Sequence, residues 1–285
     1  TAPTTTGTVG LTTTIGGTAV SGSPVTLTVT AGGVASFTLT GVANGTAGAS
    51  QTVTVTAKNS SNNTVTSYTG TKRLTFSGAN VAPAGSDPTV GGTEVGSATT
   101  VTFSNGVASV AFVPYKAETV TLAATDGTVS GTARAVTIAA ASAASSRTTL
   151  AASPTSLAVS GTATATVTVK DAYGNTRTAA AASEFAAAVT TSTYTNDHAG
   201  TLGSFTCTTG VCTATYTAPT TTGTVGLTTT IGGTAVSGSP VTLTVTAGGV
   251  ASFTLTGLAN GTAGASQTGT VTAKNSSNNT VRSEE

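Results

Sequence analysis

Gln51-Thr-Val-Thr-Val-Thr-Ala57 alternates apolar and hydroxyl side chains residue by residue. Successive side chains of an extended chain point to opposite faces, so Val53, Val55 and Ala57 share one side and the threonines the other. One face suits a core and the other suits water. Val34-Ala-Ser-Phe-Thr-Leu-Thr40 and Thr162-Ala-Thr-Ala-Thr-Val-Thr-Val169 repeat the pattern. No stretch carries a helical apolar stripe. The Ala-rich segment from Thr178 to Val189 is a local exception, readable as a short helical turn or as a loosely packed strand. The chain reads as all-β.

Composition agrees with strands and narrows the setting. Thr supplies about a quarter of the 285 residues and Gly another 35, whereas Asp, Glu, Lys and Arg together make only 7%. Globular domains ordinarily carry roughly a quarter charged residues, so this surface is made of hydroxyls, amides and small side chains. Thr and Val are β-branched and suit a pleated, half-buried strand. A hydrophobic content of 38%, regularly alternating, argues against disorder. A net charge of +1 supplies no footprint for nucleic acid and no polybasic membrane patch. No apolar run approaches the roughly 18 residues of a membrane span, and no signal peptide or initiator Met is present. The expectation is a mature or internal fragment, with anchor and secretion signal elsewhere.

Turn residues divide the alternating segments at the spacing of an all-β sandwich. Asn105-Gly106 between Thr99-Thr-Val-Thr-Phe103 and Val107-Ala-Ser-Val-Ala-Phe112 is a strong hairpin signal. Ser60 to Asn63, Asp126-Gly127 and Gly174-Asn175 mark further reversals. Strands are expected near 34–41, 50–58, 72–78, 99–104, 107–113, 118–125 and 131–140. A second set falls near 147–152, 156–160, 163–170, 183–189, 202–208, 211–217, 223–231 and 239–246. The small-residue stretch Ala139 to Ser146 reads as the joint between two sandwiches.

The organisation is a tandem repeat. Thr1 to Val65 returns as Thr217 to Val281, and only two positions differ: Val42 becomes Leu258 and Val53 becomes Gly269. A 216-residue period is too long for a solenoid coil and fits two small β-domains. The expected division is 1–30, the C-terminal part of a second-type domain; 31–142, a first-type domain; 143–246, a second-type domain; and 247–285, the opening of another first-type domain. After Val281 the copy breaks, with Arg282, Glu284 and Glu285 where Thr66, Tyr68 and Thr69 stand in the first.

Three motifs resemble known families. Ile231-Gly-Gly-Thr-Ala-Val-Ser-Gly-Ser-Pro-Val-Thr-Leu-Thr-Val245 is similar to the closing hairpin of filamin-type and bacterial immunoglobulin-like repeats. Thr166-Val-Thr-Val-Lys-Asp-Ala-Tyr-Gly-Asn175 resembles the second-strand motif of invasin- and intimin-type domains. Thr64-Val-Thr-Ser-Tyr-Thr-Gly-Thr71 is similar to a segment common in repeats of large bacterial surface proteins. The resemblance implies tandem immunoglobulin-like β-sandwiches in an extended array, extracellular and on a cell surface, and it supplies no ligand.

Candidate chemistry is sparse. Cys207 and Cys212 are the only cysteines. With Thr209-Gly210 as a two-residue turn, Cys207 faces Cys212 in the non-hydrogen-bonded pair, close enough to bridge. Such a short loop yields on the order of 2 kcal/mol; the alternative is two buried free thiols. Metal binding would need two further ligands, and the single His198 is a poor supplement. Asp171 beside Gly174-Asn175 reads as a turn carboxylate rather than a calcium ligand, and Asp197-His198 as loop. Lys58, Lys72 and Lys170 read as snorkelling strand lysines. Phe37, Phe76, Phe103, Phe112, Phe185 and Phe205 read as core. The irregular stretch Ala79 to Ser97 is where ligand contact is sought. Asn44, Asn59 and Asn62 open Asn-x-Ser/Thr glycan triplets. A flat Thr array for ice binding is disfavoured because sandwich strands twist.

The expected function is a non-enzymatic stalk or fibre segment without cofactors or metals. Its partners are neighbouring immunoglobulin-like modules of the same chain, or identical chains in a fibre. The alternative is an adhesive module that recognises a host protein or glycan through sandwich-end loops.

Overall fold

The computed structural model describes residues 7–29, 32–132, 134–191 and 199–281. The chain divides into two compact units, Thr1–Ala141 and Ser142–Glu285. Among the described residues there is no α-helix, and the alternating segments are strands.

The first unit contains a sandwich of two sheets. One runs in spatial order Thr93–Glu94, Thr89–Val90, Val107–Val113, Gln51–Lys58, Ser36–Thr40 and Gly131–Thr132. The other runs Ala98–Phe103, Gly70–Ser77, Glu118–Thr125, Arg134–Ala139 and Gly45–Thr46. Period-two alternation turns Phe37, Val53, Val55, Leu74, Phe76, Phe112 and Leu122 inward, all fully buried. Each contributes about 1.5–3 kcal/mol by leaving water. The threonines between them stay on the wetter outer faces. Phe37, Tyr68 and Phe103 cluster, with Tyr68 meeting Phe103 edge-on at 4.8 Å between centroids.

The Asn105-Gly106 turn forms, but the expected hairpin does not extend from it. Both residues are left-handed, with φ of 49° and 79°, and Ser104 and Val107 exchange backbone hydrogen bonds of 2.9 and 3.0 Å. Pairing between the two strands then stops at that single bridge. Ala98–Phe103 pairs with Gly70–Ser77, whereas Val107–Val113 pairs with Gln51–Lys58 in the opposite sheet. The turn carries the chain across the sandwich, so that Val101 and Phe103 bury from one side and Ala108 and Phe112 from the other. Gly106 is required there, because an added Cβ would lie 2.5 Å from the Val65 carbonyl oxygen.

The stretch from Ala79 to Ser97 is also more ordered than its composition suggests. Thr89–Val90 pairs with both Thr93–Glu94 and the end of Val107–Val113, and it buries Val90. A Gly91-Gly92 turn, with φ of 58° and 78°, joins the two short strands.

In the second unit one sheet runs Thr149–Ser153, Thr162–Thr168, Val211–Thr217 and Thr201–Leu202, with Thr206–Thr208 also on Val211–Thr217. The other runs Ser156–Ala158, Val241–Thr246, Gly223–Ile231 and Ala186–Thr191, with Thr234–Ala235 on Gly223–Ile231. Leu150, Leu157, Val167, Val169, Cys212, Tyr216, Leu227, Leu243 and Val245 form the core between them. The Ala-rich segment realises both readings in succession: a 3-10 turn at Ala182–Glu184, then a strand at Ala186–Thr191. Two further hairpins, Gly7–Leu11 with Val25–Val29 and Ser252–Thr256 with Thr270–Lys274, are isolated two-stranded ladders.

Candidate functional site

The cysteine hairpin is built as its spacing implies. Thr209 and Gly210 adopt left-handed φ of 48° and 85°, which fits a two-residue turn matched to strand twist. The register sets Thr208 opposite Val211 and Cys207 opposite Cys212. The sulfurs are joined, with 3.9 Å between the Cα atoms. Cys212 lies in the core beside Val167, while Cys207 packs on its rim. Gly210 is indispensable, since a Cβ there would come within 2.5 Å of Thr176 Cγ2 and 2.8 Å of the Arg177 carbonyl oxygen.

Beside this hairpin lies a cavity of about 370 Å³, walled by Phe185, Ala187, Val189, Leu202, Ser204 and Phe205. Phe185 and Phe205 meet edge-on at 5.1 Å between centroids. Both are only half-buried, unlike Phe37, Phe76, Phe103 and Phe112: they pack against the edge of the core and also line this opening. Phe185 and Phe205 offer ring contact, Ser204 offers a hydroxyl, and among the described residues no lining side chain is titratable. Asp197 and His198 lie outside the described residues.

Glu184 anchors the 3-10 turn above the cavity. Arg177 donates to it through Nε at 2.6 Å and a second guanidinium nitrogen at 3.0 Å, and the Ala181 amide adds a longer bond at 3.4 Å. The hydrogen bond from Arg177 holds this carboxyl below the usual carboxylate range, against the opposing effect of burial. In the first unit Glu118 accepts from Asn80 N and Nδ2, both at 2.8 Å, and pairs with Lys116 at 3.1 Å. Burial resists ionisation of Glu118, but donation from Asn80 and Lys116 outweighs it and lowers its pKa. The Asn80–Glu118 partnership was not evident from spacing, because the two are far apart in sequence and only the fold joins them.

Asp171 is a turn residue. Its buried carboxylate accepts from the Tyr173 and Asn175 amides, both at 2.9 Å, and from Asn175 Nδ2 at 2.8 Å. Asn59 plays the same part in the first unit, accepting from Ser61 and Asn63, and Asn275 does so with Ser277 and Asn279. Flanking bridges Lys58 to Thr64, Lys170 to Thr176 and Lys274 to Thr280 complete the correspondence. The signal was present as Lys-Asn/Asp-x-x-Asn/Gly-Asn-Thr at 58–64, 170–176 and 274–280. Both units therefore share one turn, and Asn59 is committed to it through its side chain.

The lysines serve local packing: Lys58 Nζ donates to Thr64 Oγ1 at 3.1 Å, and Lys72 lies 4.9 Å from the centre of the Tyr68 ring. Among the described residues no group of three or more His, Cys, Asp or Glu could hold a metal ion, and no helix is long and apolar enough to cross a membrane.

No protein-family model matches the chain, and no curated sequence does. Solved structures do resemble it. The FdeC adhesin of Escherichia coli is 24% identical over 89% of this chain and 78% of its own, with a TM-score of 0.57. InvD of Yersinia pseudotuberculosis is 17% identical over 86% of this chain and 71% of its own, at 0.48. Invasin, a bacterial integrin-binding protein, is 20% identical over 88% of this chain and 48% of its own, at 0.45. The likeness to FdeC shows that this chain has the fold of bacterial immunoglobulin-like adhesin domains.

Proposed function

We propose that the chain is a non-enzymatic structural segment of an extracellular, cell-surface protein, in which two types of immunoglobulin-like sandwich alternate as a stalk or fibre. The 216-residue repeat carries this reading. A 65-residue segment spanning parts of both module types recurs with two changes, so the repeating unit is the pair of sandwiches. The proposed modules are 31–142 and 143–246, flanked by the partial modules 1–30 and 247–285. Serially joined domains gain reach, and Glu118, Asp126, Asp171 and Glu184 hold turns and loops. In a secreted setting Cys207 and Cys212 are oxidised and fix the register of their hairpin. The partners are neighbouring modules of the same chain or identical chains in a fibre.

The longest strands of the two sandwiches, of eight and nine residues, span roughly 26–30 Å at about 3.3 Å per residue, so with the loops at either end one module adds about 35–45 Å and the unit about 70–90 Å. Electron microscopy of several units in tandem tests this: thin rods with that periodicity support it, and compact particles refute it. The opening lined by Phe185, Ser204 and Phe205 favours a second reading, an adhesive module that binds a glycan or host-surface protein beside the cysteine hairpin. Glycan-array or host-protein binding lost on Phe205→Ala would support that reading over the spacer.

A further inference from the structure

The turn that both units share also receives the chain that enters each sandwich. The Lys58, Lys170 and Lys274 carbonyls, each just ahead of the turn, accept from the Ala35, Ala144 and Ala251 amides at 2.7, 2.8 and 2.8 Å. Ala143 adds a backbone bridge to Asp171. In each of the three turns the entering segment is therefore laid along the same carbonyl.

One residue then separates them. The turn opens on Asp171 in one case and on Asn59 or Asn275 in the others. A carboxylate only accepts, whereas a carboxamide accepts through one atom and donates through the other. Asp171 draws the last Asn of its turn inward, so that Asn175 Nδ2 donates to Asp171 Oδ2 at 2.8 Å. Asn275 has no second oxygen to offer. Its Oδ1 takes the Ser277 and Asn279 amides at 3.0 and 2.8 Å, and its Nδ2 donates outward to the Ala247 carbonyl. Asn275 is only 3% exposed, so this amide would be a costly orphan without that carbonyl. Asn279 Nδ2, not drawn into the turn, donates to the Thr220 carbonyl. Thr220 lies 59 residues earlier, between Val211–Thr217 and Gly223–Ile231 of the sandwich before. Both contacts fall inside the second compact unit.

We infer that this turn of the first-type module is its docking surface for the second-type module before it. Asn275 holds the linker at Ala247, and Asn279 holds the loop Ala218-Pro219-Thr220. The two joints of the repeat are then unlike. One is gripped by side-chain amides, and the other is laid on its turn through the Ala143 backbone. This inference rests on the module division proposed above and adds how one module meets the next.

Asn275→Asp in the full chain tests it, because that change copies the turn at Asp171. The new carboxylate still accepts the Ser277 and Asn279 amides, and it draws Asn279 Nδ2 inward as Asp171 draws Asn175. Both donors to the preceding module are lost while the turn stays closed. Residual dipolar couplings report whether 143–246 and 252–274 hold one mutual orientation. The expected result is a single alignment tensor for both segments in the unmodified chain and two in Asn275→Asp, with the Ser277 and Asn279 amides still protected from hydrogen exchange. Asn279→Ala leaves every turn bond of Asn275 in place and should give the same split, so it decides the matter if Asn275→Asp opens the turn. Two tensors in the unmodified chain, or one tensor in either variant with the turn protected, would overturn the inference. Rod length in tandem arrays decides the stalk reading separately, so failure of the grip and failure of the stalk are told apart.

Discussion

Val53→Gly, the change the chain itself makes at Gly269, tests how the first-type core is held. Val53 is fully buried in Gln51–Lys58, opposite Val110, and the next residue, Thr54, pairs on the other side with Thr40. Removing its side chain forfeits about 1.5–3 kcal/mol of burial, and glycine in a strand costs roughly another 0.5–1 kcal/mol. Relaxation around the gap returns part of this, so the expected loss is about 2–3 kcal/mol. The second difference between the copies bears on the first. A Cβ at Gly269 would lie 3.3 Å from Leu258 Cδ2 and 3.5 Å from Leu258 Cγ. Residue 258 is the other changed position, so the two substitutions touch. The larger leucine reaches toward the space the valine vacated. In the complete first unit, Val42→Leu alone overpacks a fully buried site at a cost of about 1–3 kcal/mol. The double variant should be less destabilised than the sum of the singles by about 1 kcal/mol or more. Denaturant unfolding of the full chain, with hydrogen exchange assigning each transition to its unit, measures all four corners of the cycle. Strict additivity, or an unchanged first-unit transition in Val53→Gly, would refute the reasoning.

Three further outcomes follow from the second unit. Mass spectrometry after alkylation without reduction should leave Cys207 and Cys212 unmodified; two alkylated thiols would show the pair to be reduced. Gly210→Ala forces a side chain onto the Arg177 backbone at φ 85° and should destabilise the second unit by more than about 1 kcal/mol, with the first unit unmoved in hydrogen exchange. Glu184 has a folded pKa below its unfolded value of about 4.3, because Arg177 donates to its carboxylate. Its stabilisation is therefore complete above that unfolded value and is lost as pH falls through the lower folded pKa. Acid titration of the second unit should show this loss, and Glu184→Gln should remove that part of the pH dependence.

What could be read from the sequence was whatever depends on neighbours along the chain. Alternation at Gln51 to Ala57 marks a strand and its buried face because the side-chain period of extended backbone is local. The Thr209-Gly210 turn fixes the cysteine register for the same reason. Asn105-Gly106 marks the limit: the turn residues set the φ angles, but the sheet joined by the next strand depends on which distant partner buries Phe103 and Phe112. The short strands at Thr89–Val90 and Thr93–Glu94 were hidden because two-residue ladders carry no period, and Val90 is held by Phe112 from afar. Phe185 and Phe205 do pack against the core, but at its margin, because alternation tells inward from outward, not whether a neighbouring strand closes the layer.

Small-angle scattering of the complete chain in dilute solution tests the stalk reading most directly. Two sandwiches in line, strands and end loops together, give a maximum dimension of about 70–90 Å. A compact body of this length has a radius of gyration near roughly 19 Å and spans only about 50 Å. The account expects the longer dimension, with a distance distribution drawn out on one side. A symmetric distribution ending near the shorter value would contradict it and return the chain to the binding-module reading.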